Sequence, residues 1–271
     1  MFELKKFLNL RSLRMTGAAF SDFDKILDWK LLRGSHVFPG PDGGTCINEA
    51  AILAAGYPYC PVRSVEDCPP SFSRTAATYA MFLNDLIDRD ELRGKVLMPF
   101  VTRLEGSAAT PEIERERAEL MVLRTASAIL APALLRQGFF EASEKLRRVG
   151  SLQALIGLGQ GLLDARRRLS PPSWMRQALV DLADAACACM RGDFMGAAKD
   201  AAIVAANIAQ GVRCASRGGR RDMARVYDQA GTILDAALKL GKAETVIEPA
   251  EAAKRLEAAK RKLPADLGSI A

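Results

Sequence analysis

The sequence predicts an all-α protein: a multi-helix, bundle-like array, with a short helical solenoid as the alternative for its C-terminal half. Aromatic residues make up only 6% of the 271 residues while Ala and Leu recur throughout. That mixture suits close helix packing better than β-sheets, which favour aromatic and β-branched side chains. Apolar residues fall at helical spacing, as in Met223, Val226, Tyr227, Ala230, Ile233, Leu234, Ala237 and Leu238, a near-heptad stripe. Single glycines and prolines punctuate the long apolar stretches, so short turns join antiparallel neighbours. The chain shows no self-similarity at the period of about 34 residues typical of helical repeats, which favours the bundle.

Each element has a local reason. Residues 1–14 read as an amphipathic helix, basic but without the continuous apolar core of a signal peptide; a mitochondrial presequence looks similar. Ser21 opens a second helix with Phe23, Ile26, Leu27 and Leu31 on one face, ending at Arg33–Gly34. A turn-rich loop then feeds a helix that Thr45 caps and Gly56 terminates. After a second loop from Tyr57 to Pro70, helices are expected over 73–88 and 90–104, with Pro99 kinking or shortening the latter. Thr110-Pro111-Glu112 is a strong start signal, with a capping hydroxyl, Pro in the first turn and acid near the positive end of the dipole. The helix it opens should run to Gly138, with Leu120, Leu123, Ile129 or Leu130, and Leu134 as its stripe. Glu112 to Glu119 with Arg115 and Arg117 form a solvated, salt-bridged first turn. Further helices are expected over 141–149, 151–168, 173–191, 194–212, 220–240 and 249–262, Ser173 starting one of them. The texture divides the chain into an N-terminal helical module, 1–109, with a Gly/Pro/Cys-rich loop, and a C-terminal long-helix array, 110–271.

Hydrophobic residues at 49% and charged ones at 26% match a chain with a full core. Six cysteines without a secretory leader indicate reduced thiols and a cytoplasmic setting. Arg124 interrupts the best apolar run and Lys199–Asp200 flank the next, so none approaches the ~20 residues that span a bilayer and no membrane partner is expected. The net charge of +6 favours attraction to polyanions.

Chemistry-bearing residues gather in two places. His36, Asp42, Cys46 and Glu49, with Cys60 and Cys68 downstream, are of the types that ligate zinc, and Glu49 is of the type that activates a zinc-bound water in a metal-dependent hydrolase. The zinc-deaminase signature fails here: the spacing from Cys46 to Glu49 has one residue too many, and Cys68-Pro-Pro-Ser71 lacks the second Cys. The favoured reading is a tight loop in which Asp42 and Thr45 satisfy backbone amides and Cys46 is a small buried hydrophobe, with no cofactor. Asp42-Gly-Gly-Thr45 before a helix is a weak anion-binding signal, lacking a phosphate-loop lysine. Asp85, Asp88, Asp90 and Glu91 could bind Mg²⁺, but Asp90 as a helix cap is the simpler account. Cys187 and Cys189 are core packing.

Basic clusters stand at Arg166–Arg168 with Arg176, at Arg213, Arg217, Arg220, Arg221 and Arg225, and at Lys254, Arg255, Lys260, Arg261 and Lys262. The middle group spans the Gly218–Gly219 turn and would place several guanidinium forks at one helix junction, a geometry suited to phosphates. Only Tyr227 supplies an aromatic nearby. The expected function is macromolecular binding, to nucleic acid or a nucleoprotein or protein partner, rather than catalysis. A metal-dependent hydrolase and a structural homo-oligomer are the alternatives.

Gly34 to Ala51, then Ser71-Phe-Ser-Arg74, then Leu97-Met-Pro-Phe-Val-Thr-Arg-Leu104 resemble an uncharacterised family of bacterial and phage-borne hypothetical proteins over roughly residues 25–107. The resemblance implies a bacterial or phage origin and no particular chemistry. It also implies a Cys where Ser71 stands, which would complete a Cys-x-x-Cys; Ser71 weakens a metal reading.

Overall fold

The structure, a computed structural model, describes residues 29–36, 38, 44–164, 172–215, 218–241 and 247–261. Its helices are α1 (Ile47–Ala54), α2 (Arg74–Leu86), α3 (Asp90–Leu97), α4 (Pro111–Arg124), α5 (Ala131–Arg136), α6 (Phe140–Arg147), α7 (Leu152–Asp164), α8 (Ser173–Met190), α9 (Phe194–Ala215), α10 (Gly219–Lys239) and α11 (Pro249–Arg261). Short 3-10 turns stand at Val65–Asp67 and Met98–Phe100. The one extended pairing among the described residues is a parallel bridge between Leu31 and Thr45.

α9 is the centre of the array. Ala197, Ala198, Ala201, Ala202, Ala205, Ala206 and Ala209 are all buried along it, and short side chains on several sides let neighbours approach from several directions. It packs on its sequence neighbours α8 and α10 and also on α2 and α4. A solenoid contacts only adjacent repeats, so this is a bundle-like array. α11 returns across the chain to pack on α1. The buried residues from Trp29 to Leu256 form one contiguous core, in which each fully buried Leu, Ile or Phe contributes about 1.5–3 kcal/mol.

Proline and glycine set the boundaries. α3 stops at Leu97 and tightens into the 3-10 turn that contains Pro99, because proline removes a hydrogen bond and clashes with the carbonyl four residues back. The long helix from Pro111 is continuous to Arg136 but passes through a π turn at Thr125–Leu130, immediately before Pro132. The shift in the ladder absorbs the missing proline N–H. Thr110 stands at the cap of α4 but its hydroxyl makes no capping bond to the backbone. At α2, by contrast, Ser73 Oγ accepts from Ala76 N at 3.1 Å and donates to Glu114 at 2.7 Å.

Several local expectations are corrected by long-range contacts. Residues 29–34 are not helical. Leu32 N donates to Thr45 O at 2.8 Å and Thr45 N to Lys30 O at 3.2 Å, pulling this segment alongside the start of α1; the Ser21 cap itself lies outside the described residues. The stripe of α4 is rotated from the expected one: Ala118, Met121 and Val122 are buried, whereas Leu120 and Leu123 are half-buried. Arg117, expected in a solvated turn, is 0% exposed. Its guanidinium donates to Ser107 O at 2.6 Å, Ala237 O at 3.1 Å, Leu240 O at 2.7 Å and Glu114 Oε1 at 2.7 Å. Arg93 is buried in the same way, bonded to Asn84 O at 2.6 Å, Leu31 O at 3.2 Å, Ile87 O and Asp90. Buried guanidiniums persist because each of the three nitrogens finds at least one carbonyl or carboxylate oxygen.

The run Pro111–Arg136 is long and apolar enough to cross a membrane by length and composition, and 56% of its most apolar window is buried inside the fold. Arg124 therefore does not break the run as the sequence suggested; it lies exposed on the far side of the helix from the core.

Candidate functional site

The loop before α1 is organised by a carboxylate. Glu49, in the first turn of α1, is 0% exposed. Its Oε2 accepts from Cys46 N at 2.9 Å, while Oε1 accepts from Ser35 Oγ at 2.8 Å, Val62 N at 3.0 Å and His36 N at 3.4 Å. In return Glu49 N donates to Cys46 Sγ at 3.4 Å, closing a capping box. Cys46, not Thr45, is therefore the cap. Thr45 is buried, its hydroxyl accepting from Trp29 Nε1 at 2.9 Å. Among the described residues no cation pairs with Glu49, and its oxygens are met by N–H and O–H donors. Burial, then the nearby Glu49 charge, pushes the Cys46 thiol well up.

Among the described residues, the potential zinc ligands do not converge. His36 is half-buried and its Nε2 lies 2.8 Å from Arg33 O; it meets Glu49 through its backbone, not its ring. Tyr59 O–H donates to His36 O. Cys60 Sγ faces Asp67 O at 3.8 Å, and Cys68 is buried with its thiol pushed up to about 12 by desolvation. Asp42 lies outside the described residues. Among the described residues, no three His, Cys, Asp or Glu side chains form a metal-holding group.

The acidic residues at the α2–α3 junction also separate. Asp85 accepts from Gly34 N at 2.9 Å, Asp88 pairs with Arg213 at 2.7 Å, and Glu91 pairs with Arg89 at 2.9 Å. Asp90 is the first residue of α3 rather than its cap, and it binds Arg93 and, at 3.8 Å, Lys30. Cys189 is buried, its thiol raised to about 11 by desolvation, and Cys187 is half-buried.

The α9–α10 junction holds the Arg cluster together. Gly219 is buried at the start of α10 so close to α9 that a Cβ there would lie 2.0 Å from Arg213 O, which only glycine permits. Arg225 reaches Asp222 at 3.2 Å, and Arg136 at the end of α5 reaches the same carboxylate at 4.0 Å. Arg220 and Arg221 are exposed and have no ion pair among the described residues; Arg217 lies outside them. Among the described residues Asp88 pairs with Arg213 and Asp222 with Arg225 and Arg136, while Arg220 and Arg221 add positive charge with no ion pair. Of the other basic groups, Arg166–Arg168 lie outside the described residues, and Lys260 Nζ sits 4.7 Å from the centre of the Trp29 ring.

Tyr227 is not the aromatic of this junction: it is buried and its O–H donates to Leu86 O at 3.1 Å. Among the described aromatic residues the most exposed is Phe140, 69% exposed at the first residue of α6. The signal was present in Phe139-Phe140 after Gly138: adjacent helical residues point about 100° apart, so two neighbouring aromatics at a surface helix do not both enter the core.

The fold and this junction define a class, an all-α helical array with an Arg-rich helix junction at its surface. Comparison with protein-family models, curated proteins and solved structures gives no match to the chain.

Proposed function

We propose that the protein is a helical interaction module that binds a nucleic acid, free or within a nucleoprotein, through the α9–α10 junction. The observation that carries this reading is the exposed Arg220–Arg221 pair, without an ion pair among the described residues, beside Arg136, Arg213 and Arg225. Guanidinium forks match phosphate oxygens in a bidentate geometry, and such contacts are salt-sensitive and largely sequence-independent. Phe140 follows Arg136 by four residues, a span of at most about 14 Å of chain, and offers a ring on which a base could stack. Six free cysteines suit a cytoplasmic setting.

The test is fluorescence anisotropy with labelled DNA and RNA over a salt series. Binding at low salt should weaken steeply as salt rises, and Arg220→Glu with Arg221→Glu should flatten the slope of log affinity against log salt by about two or more. No binding at low salt, or a slope untouched by the double variant, overturns the reading.

A further inference from the structure

A second site is built where α11 meets the loop that leaves α1. A cleft of about 400 Å³ opens there, lined by Phe38, Tyr57, Tyr59, Arg255 and Ala258 among others. That volume lies within the range of small-molecule pockets, roughly 300–1,000 Å³.

Its walls are held by bonds elsewhere. The Tyr59 ring stands 5.4 Å from Phe38, which stands 5.4 Å from Trp29, a row of tilted rings that buries one edge of the cleft. Tyr59 O–H is engaged by His36 O, and Tyr57 O–H reaches Glu105 at 3.2 Å. Both phenols are thereby fixed at their far ends, and both residues line the cleft. Tyr57 is 39% exposed, a cost in apolar surface that a stacked ring would remove.

Arg255 is the charged residue among the described lining residues. Its Nε donates to Glu251 at 2.9 Å and one terminal nitrogen to Ala54 O at 3.0 Å; the other terminal nitrogen has no hydrogen bond among the described residues. Gly56, with φ +89°, brings its backbone against the guanidinium, where a Cβ would lie 3.4 Å from Arg255. Glycine adopts this positive φ without the steric cost of a Cβ, and it leaves the fork room beside the backbone. No carboxylate lines the cleft among the described residues. Although Glu251 already pairs with one edge of the guanidinium, two phenol rings and an Arg with a spare donor nitrogen in one cleft favour a flat ring carrying an acidic group.

We propose that this cleft binds a small planar aromatic molecule bearing one acidic group, with the ring against Tyr57 and Tyr59 and the acid on Arg255. The site is independent of the α9–α10 junction.

The test is calorimetric titration of the full chain with 2-naphthoate, using 2-naphthylmethylamine as the charge-reversed control. One naphthoate should bind saturably per chain, and the amine should not compete. Ala258→Phe, at an exposed position of α11, should fill the cleft and abolish binding with the melting temperature retained. Arg255→Gln should weaken naphthoate about ten-fold or more, the loss expected for a hydrogen bond to a charged group. Absence of saturable binding, equal binding of the amine, or binding untouched by Ala258→Phe overturns the proposal.

Discussion

Val62 donates its backbone N–H to the buried carboxylate of Glu49 at 3.0 Å, tying the loop that leaves α1 to the first turn of that helix. The same oxygen holds Ser35 and His36, so one side chain fixes both flanks of α1. Glu49→Gln keeps the shape but turns an amide N–H₂ towards N–H groups. Each buried donor left unpaired costs about 1–3 kcal/mol, and the expected loss is about 2–4 kcal/mol by urea unfolding, with new protease cleavage between Tyr57 and Pro70. A loss within experimental error would show that Glu49 is not what holds the loop.

Arg117 is the corresponding strut on the other side of the core, joining α4 to the end of α10 through Ala237 and Leu240. Arg117→Met removes the partner of Glu114, whose side chain is 15% exposed. Breaking a buried pair from one side typically costs about 3–5 kcal/mol. Denaturant titration should show that loss, and Glu114→Gln in the Arg117→Met background should recover part of it. Additive losses from the two substitutions would contradict a coupled pair.

Alkaline pH should destabilise the fold. Burial raises the Cys68 thiol from 9.0 to about 12, and burial also raises the hydroxyls of Tyr79 and Tyr227 above their ordinary 10.0. The unfolded chain then releases these protons at lower pH than the native one. The native state binds more protons above pH 9, so stability is fully present below that value and is lost as pH climbs towards 12. The urea midpoint should fall progressively between pH 9 and 11, and a flat midpoint across that window would contradict the burial of these groups.

Phe140 separates two kinds of nucleic-acid contact. An exposed ring can stack on an unpaired base but not on a base inside a duplex, and such stacking contributes about 1–3 kcal/mol. Phe140→Ala should weaken single-stranded oligonucleotides about five-fold or more and leave duplex affinity unchanged in the anisotropy assay. An equal loss for both forms would place Phe140 in the fold rather than at the contact.

The helices were legible in the sequence because their causes are local. Every residue of the Met223–Leu238 stripe is buried, since a period of about 3.6 residues puts those positions on one face whatever lies opposite. Expected ends at Gly56 and Gly138 coincide with positive-φ glycines, and the shortening at Pro99 follows from a missing N–H. The place of the Arg cluster at a Gly-Gly helix junction was legible for the same reason.

Local signals thus suffice for an all-α chain and for most of its helices and turns, though not for the non-helical segment 29–34. Which charges go inside depends on contacts between segments distant in the chain. Arg117 is buried because Ser107, Ala237 and Leu240 turn their carbonyls towards it, and Arg93 because Leu31, Asn84 and Ile87 do. Arg213 is spent on Asp88, 125 positions away, while Arg220 and Arg221 are not. A charge enters a core only where enough oxygens or donors converge to replace its water, and residues far apart in sequence supply most of them.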